Sequence, residues 1–148
     1  MKLWKKCALV AGLLVATTIM ATPSQTASAR TVTDLTGTKV TLPQKVTRVA
    51  DLWHANNQVV LLLNGQKKLV ATTDTIKQMP WFTTVYPGIK NVTAPLSGSD
   101  LQTEELLKQK PDVVLTADAS QAEQAKKAGI PAVNLMYQDF AGLKNRSK

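Results

Sequence analysis

The pattern of apolar and polar positions predicts a small hairpin, then a strand and a helix. Residues 31–34 and 39–42 alternate apolar with polar side chains around Thr36-Gly37, which is typical of two short antiparallel strands. Residues 46–52 are rich in β-branched and aliphatic side chains and predict a buried strand. A helix is predicted over residues 55–64, and its expected apolar face consists of Ala55, Val59, Leu62 and Leu63.

The rest of the chain continues this alternation. Strands are predicted over residues 69–73, 112–116 and 131–136, and helices over residues 101–110 and 120–129. Two prolines in residues 75–90 leave room only for a short helix around residues 81–86, and residues 91–99 predict a loop. Ser99 or Asp100 is expected to cap the helix over 101–110, and Ser120 with Glu123 matches a capping box for the helix over 120–129.

This order of elements predicts the fold class. Strands that alternate with helices three or four times favour an α/β fold with an open, mostly parallel sheet flanked by helices, which is one Rossmann-like lobe. The small N-terminal β-hairpin precedes this lobe. Residues 139–143 look like the start of another helix, and five polar, mostly basic residues follow them.

Residues 1–29 are predicted to be a signal peptide. A basic start precedes a 14-residue apolar run over residues 7–20, and the small residues Ala27-Ser28-Ala29 form a cleavage site before Arg30. The apolar run is too short for a comfortable membrane span. We therefore expect an exported product, in the periplasm or at the cell surface.

Composition and charge exclude several classes of protein. The chain has 148 residues, 44% of them apolar and 19% charged, which indicates a globular domain. The net charge of +8 rests largely on three lysines in the predicted leader and three basic residues among the last five, so no nucleic-acid partner is expected. Cys7, in the leader, is the one cysteine of the chain, so the mature part has no thiol chemistry.

Ligands of open α/β sheets bind beyond the carboxyl ends of the strands. The segments that follow four of the predicted strands are therefore expected to form a ligand-binding site. An aromatic ring and an imidazole at Trp53 and His54 suit a flat or bulky organic ligand. The candidate ligand-binding residues are Trp53, His54, Asp74, Trp81, Asp118 and Tyr137. The alternative for Trp53 and His54 is packing at the domain edge and at a helix start, and Asp74 and Asp118 also fit turn and cap positions.

Enzyme chemistry is poorly supported. One histidine, no mature cysteine and no metal-spaced cluster leave few catalytic arrangements, so no catalytic residue, metal site or cofactor is predicted. The alternative is a small exported enzyme that uses His54 with Asp51 or Asp118.

Four segments carry a resemblance to a known family. They are TDLTGTKVTLP at 33–43, VTRV at 46–49, TEELLKQKPDVVL at 103–115 and AGIPAV at 128–133. In this order the chain resembles the N-terminal lobe of the periplasmic binding proteins that serve ABC importers of ferric siderophores, haem and vitamin B12. The likeness spans nearly all of residues 31–143.

The resemblance implies a function and a partner. Residues 30–148 correspond to an N-terminal lobe, with the second lobe absent, and this suggests a truncated product. The implied function is extracytoplasmic binding of a metal–organic ligand, a ferric siderophore, for delivery to an ABC permease. Haem or cobalamin is the alternative ligand, and a truncated product without transport activity is the alternative function. The acidic helix implies Glu104 as the permease-docking residue, with Glu105 a near-equal candidate, and the protein is expected to be a monomer.

Overall fold

The structure, a computed structural model, describes residues 29–137. The predicted signal peptide, apart from Ala29, and the predicted helix start at residues 139–143 lie outside the described residues. Within the described part of the chain, no helix combines the length and the apolar character that a membrane crossing requires.

Short strands and helices alternate along the described residues. The strands are β1 (Ala29–Thr33), β2 (Lys39–Pro43), β3 (Val49–Asp51), β4 (Leu69–Ala71), β5 (Leu96–Ser97), β6 (Asp100–Leu101), β7 (Val113–Thr116) and β8 (Ala132–Asn134). The α-helices are α1 (His54–Leu62), α2 (Asp74–Gln78), α3 (Pro80–Val85), α4 (Thr103–Lys108) and α5 (Ala119–Lys127), and 3-10 turns occupy Gln66–Lys68 and Pro87–Asn91.

A four-stranded sheet forms the centre of the fold. Its order is β4-β3-β7-β8, and every pair of neighbours is parallel. The predicted hairpin is present as the antiparallel pair β1-β2, in which Val32 lies opposite Val40. The turn residue Gly37 has a φ of 83°, a conformation that favours glycine. The predicted α/β fold class, with a parallel sheet, flanking helices and a small hairpin, is confirmed.

Alternating side chains of the strands enter two separate cores, as pleating requires. On one face Ala50, Val114 and Ala132 pack with buried residues of α4 and α5. On the other face the apolar residues are Val49, Leu69, Val113 and Val133, packed with Ile76, Phe82 and Ile89. Helices therefore cover both faces of the sheet, and the ends of the strands remain for a site.

The apolar face predicted for α1 is wrong. Leu62 and Leu63 are 84% and 77% exposed, whereas Asn56 and Asn57 are buried. The helix is rotated because both asparagines donate hydrogen bonds to Asp51 at the end of β3. Hydrogen bonds of buried polar side chains therefore determine which face of α1 is buried, and the spacing of apolar residues alone did not predict this face.

Both predicted caps are wrong as well. Asp100 lies in β6 and α4 has no side-chain cap, because the segment before it forms the β5-β6 hairpin. Helix α5 begins at Ala119, and its cap is Asp118, whose Oδ1 accepts a hydrogen bond from the Gln121 backbone N–H at 2.9 Å. Ser120 is thus inside the first turn.

Candidate ligand-binding site

The order of the strands identifies one position where ligands bind in folds of this type. From β3 the chain passes to β4 on one side of it, and β7 and β8 then follow on the other side. The direction of winding reverses between β3 and β7, and the crevice beyond the carboxyl ends at such a reversal is the usual ligand position. Trp53 and His54 follow β3 after one intervening residue, Leu52, and Asp118 follows β7.

A buried polar network holds this edge of the sheet. Asp51 is fully buried, and its Oδ2 accepts a hydrogen bond from Asn56 Nδ2 at 2.8 Å, while its Oδ1 accepts one from the Trp53 backbone N–H at 3.2 Å. Asn57 Nδ2 donates to the Asp51 carbonyl at 2.9 Å, and its Oδ1 accepts from Thr72 Oγ1 at 2.7 Å. These bonds fix the start of α1 to the ends of β3 and β4, so the backbone that carries Trp53 and His54 is held in place.

A cavity of about 340 Å³ opens at this edge. Its lining consists of Leu52, His54, Thr73, Asp74, Thr75, Leu96 and Gly98. The structure thus brings together His54 and Asp74 from two consecutive strand ends. Another cavity, of about 290 Å³, lies beside Gly129 and Pro131, at the amino end of β8, and is therefore on the opposite edge of the sheet.

An aromatic pair lies at the same edge of the sheet, and neither of its residues is part of the cavity lining. The rings of Trp53 and Tyr137 lie with their centroids 5.4 Å apart and their planes at 57°. Trp53 follows β3 and Tyr137 follows β8, and β7 lies between these strands, so the pair bridges the carboxyl end of β7. A tilted pair at this distance is a favourable aromatic geometry.

The two remaining predicted ligand-binding residues, Asp118 and Trp81, do not line the cavity either. Asp118 is at the same edge of the sheet, but its carboxylate caps α5. Trp81 is on α3, 46% exposed, with its ring 5.3 Å from that of Phe82, and it is not part of the cavity lining. Asp51 and Asp118, the two carboxylates considered as partners of His54 in an enzyme, are both engaged in hydrogen bonds that hold the fold.

Sequence reasoning missed several residues of the cavity. Thr73 caps α2 through Oγ1, which accepts from the Ile76 backbone N–H, and Thr75 follows in the first turn. Leu96 and Gly98 belong to the β5-β6 hairpin, in a segment that was predicted to be a loop. The Ser-Gly-Ser sequence at 97–99 was the available signal for a tight turn.

The acidic helix α4 presents its two glutamates differently. Both are exposed in the first turn. Glu105 Oε1 forms a salt bridge with Lys108 Nζ at 2.6 Å, whereas Glu104 forms no ion pair within residues 29–137. Among the same residues, no group of three or more His, Cys, Asp or Glu side chains is arranged to hold a metal ion.

Comparison with known proteins identifies relatives of one kind. No protein-family model matches the chain. The molybdate-binding protein MolA of Haemophilus influenzae is 26% identical over 126 residues, which cover 82% of this chain and 36% of MolA. A periplasmic solute-binding protein of Veillonella parvula is 30% identical and superposes with a TM-score of 0.71, over 80% of this chain and 39% of that protein.

Other solved structures agree on the fold. MolA bound to molybdate, described as the cognate binding protein of an ABC transporter, superposes with a TM-score of 0.65 over 71% of this chain and 34% of its own. Helicobacter pylori CeuE, in a Ni–His complex, has a TM-score of 0.66 at 21% identity, over 80% of this chain and 40% of CeuE.

The chain therefore spans well under half the length of each of these proteins. The described part of the chain is a single lobe of the type found in periplasmic solute-binding proteins.

Proposed function

We propose that the chain is the ligand-binding lobe of an extracytoplasmic solute-binding protein that serves an ABC importer. The observation that carries this proposal is the cavity with His54 and Asp74 at the carboxyl edge of the sheet, the edge that also carries the Trp53–Tyr137 pair. The likeness to binding proteins of this fold supports it. An importer component acts outside the cytoplasm, which agrees with the predicted export signal at residues 1–29.

The proposed ligand is a ferric siderophore. Its apolar and aromatic surface would pack on Trp53 and Tyr137, and its polar groups would meet His54 and Asp74. Haem and cobalamin are the alternatives. One lobe buries only part of such a ligand, so we expect weak binding by this chain alone.

Charge around the cavity narrows the choice of siderophore. Among residues 29–137, the lining contains the carboxylate of Asp74 and no lysine or arginine. Lys77 and Lys90 are not part of the lining. A cationic or neutral ferric complex is therefore favoured over an anionic one.

Molybdate is a second candidate, because MolA is a sequence relative. The start of α1 has no side-chain cap and no acidic residue in its first turn, which suits an anion at a helix N-terminus. The Asp74 carboxylate opposes an anion in the same cavity, and for this reason the ferric complex is preferred.

Tryptophan fluorescence tests the proposal. The chain is titrated with ferrioxamine B, hemin, cyanocobalamin and sodium molybdate in separate experiments. We expect saturable quenching by ferrioxamine B that persists in Trp81→Phe and is largely lost in Trp53→Phe, because Trp53 follows β3 at the carboxyl edge of the sheet and Trp81 lies on α3. No saturable response to any of the four would contradict a binding function and favour the alternative, a single-lobe product without transport activity.

Docking to the permease is proposed through Glu104. An exposed carboxylate that forms no salt bridge among residues 29–137 is available to basic residues of another protein, whereas Glu105 is already paired with Lys108. Glu104→Lys is expected to weaken the stimulation of ATP hydrolysis by a liposome-reconstituted importer more than Glu105→Lys. Equal effects of the two charge reversals would contradict this assignment.

A further inference from the structure

The β5-β6 hairpin forms one wall of the cavity. It is a minimal antiparallel pair in which Leu96 lies opposite Leu101 and Ser97 opposite Asp100. Leu96 and Gly98 line the cavity that also contains His54 and Asp74. The hairpin therefore completes a site whose other walls come from the ends of β3 and β4.

The hairpin is tied to the carboxyl end of β7 through a buried glutamine. Gln121 of α5 is 6% exposed; its Nε2 donates to the Ser99 carbonyl at 3.1 Å and its Oε1 accepts from Thr116 Oγ1 at 2.7 Å. The Gln102 backbone N–H donates to the Pro95 carbonyl at 2.8 Å and closes the base of the hairpin. A turn held in this way keeps a fixed position relative to the strand ends.

Gly98 lies at the tip of this wall. Its φ is 63°, and a Cβ placed on it would meet no atom within 4 Å. The position is therefore open space beside the cavity, where a side chain is limited by the backbone conformation and not by packing. Asparagine and aspartate tolerate this left-handed conformation better than other residues with side chains.

We infer that the β5-β6 hairpin determines ligand specificity, with Gly98 as the specificity-determining residue and Gln121 as the residue that positions the hairpin. The missing side chain at Gly98 leaves room for a ligand group to approach the backbone opposite His54 and Asp74. A side chain there would narrow the site, and its charge would select among ligands. This inference rests on the proposed function and adds the residue that sets its selectivity.

Substitution of Gly98, with a matched control, tests the inference. Gly37 is the control because it has a φ of 83°, no atom within 4 Å of its Cβ position and a place in the turn of the other hairpin, away from the cavity. Gly98→Asn is expected to weaken ferrioxamine B binding about tenfold, and Gly37→Asn to change it less than about twofold. Aspartate has nearly the same size as asparagine but carries a negative charge. The ratio of the affinity for cationic ferrioxamine B to the affinity for an anionic ferric tris-catecholate should therefore be higher in Gly98→Asp than in Gly98→Asn.

The role of Gln121 is tested by combining substitutions. Gln121→Met removes both hydrogen bonds at similar side-chain volume and should also weaken binding. Because both changes act on one wall, the double variant Gly98→Asn/Gln121→Met should lose less than the product of the two single effects. If the effects of the two substitutions on affinity simply multiply, the positioning role of Gln121 is overturned. A general loss of stability caused by Gln121→Met would give such independent effects, without coupling to Gly98.

The outcomes separate this inference from the proposed function. If the unsubstituted chain binds ferrioxamine B and Gly98→Asn binds it equally well, the specificity role is overturned and the binding function stands. If Gly37→Asn weakens binding as much as Gly98→Asn, the specificity role is again overturned. If the unsubstituted chain binds neither ferric complex but binds hemin, cyanocobalamin or molybdate, the siderophore assignment and this inference fail while the binding function stands. If it binds none of these ligands, the binding function fails as well.

Discussion

At the scale of single residues, buried amide side chains organise the site. Asn57 is fully buried and makes three hydrogen bonds, donating to the carbonyls of Asp51 and Trp53 and accepting from Thr72. Each buried partner would lose its hydrogen bond if Asn57 were replaced by an apolar residue, and an unpaired buried polar group is costly. Asn57 therefore joins the ends of two strands to the start of α1.

Asn57→Leu should lower the free energy of unfolding by about 2–3 kcal/mol, because it leaves Thr72 Oγ1 and two backbone carbonyls without this donor or acceptor. The measurement is urea denaturation followed by circular dichroism. Asn91→Leu, at an exposed position in a 3-10 turn, is the control and should change stability by less than about 0.5 kcal/mol. A loss at Asn57 no larger than at Asn91 would show that the network does not stabilise the fold.

At the scale of elements, a clamp of residues distant in sequence joins α4 to the sheet. Asp112 Oδ2 accepts from the backbone N–H groups of Thr47 and Arg48 at 2.7 and 2.9 Å and from Thr47 Oγ1 at 3.0 Å. Arg48 in turn donates through Nε to the carbonyls of Gln109 and Lys110, at 3.0 Å each. The segment before β3 is thereby fixed to the end of α4 and the start of β7.

The clamp predicts how stability depends on pH. The backbone hydrogen bond from Thr47, supported by those from Arg48 and the Thr47 hydroxyl, holds the pKa of Asp112 below its usual value. A folded-state pKa below the unfolded one contributes stability that is present above the unfolded pKa and is lost as pH falls through the folded pKa. Asp112→Asn should therefore be less stable than the unsubstituted chain at pH 7, by about 1 kcal/mol, and the difference should shrink below pH ~4.

Asp34 provides the comparison for this experiment. Burial raises the pKa of Asp34, but hydrogen bonds from the Thr36 side chain and from the backbone of Thr38, Thr36 and Asn134 outweigh it and lower the pKa. Asp34→Asn should show the same sign of pH dependence because its carboxylate is also held in the charged form. A stability difference for Asp112→Asn that stays constant from pH 7 to about pH 3 would contradict the clamp as a pH-dependent element.

The elements also show why sequence reasoning succeeded in some places and not in others. The strands β7 and β8 are short apolar runs bounded by prolines and polar residues, and this pattern was sufficient to predict both strands. The hairpin β5-β6 has strands of two residues, which are too short to have a period, so it was predicted as a loop. Helix α1 was placed correctly but turned to the wrong face, because the hydrogen bonds of Asn56 and Asn57 depend on Asp51 and Thr72, and contacts of this kind have no local signature.

The candidate site, like the fold, could be predicted from the sequence only in part. That ligand-binding residues follow the strand ends could be predicted, since it is a property of open α/β sheets. Which of those residues share a cavity depends on strand order, and the sequence does not reveal that order. His54 and Asp74 are together because β3 and β4 are neighbours, and Trp53 contacts Tyr137 across β7. Trp81 was included for its chemistry alone, and the structure has it on α3, outside the cavity lining.

At the scale of the whole molecule, the two edges of the sheet carry different chemical groups. The carboxyl edge combines a cavity with an aromatic pair, an imidazole and a buried network beneath them. The amino edge has a cavity of similar size beside Lys39, Lys126 and Gly129, but no aromatic residue lines it. Size alone would not distinguish the two cavities, whereas their chemistry does.

A chemical-shift map therefore has a built-in control. Titration of the 15N-labelled chain with ferrioxamine B should shift the resonances of the Trp53 indole N–H and the His54, Thr75 and Gly98 amides, because these groups surround the carboxyl-edge site. The amides of Thr41 and Gly129 at the amino-edge cavity should remain unmoved at the same ligand concentrations. Shifts confined to the amino edge would place the binding site on the opposite side of the sheet and contradict the site assignment, while the fold and its relatives would stand. Shifts at both edges would indicate a change in the whole lobe, which the buried network of Asp51 and Asn57 is expected to resist.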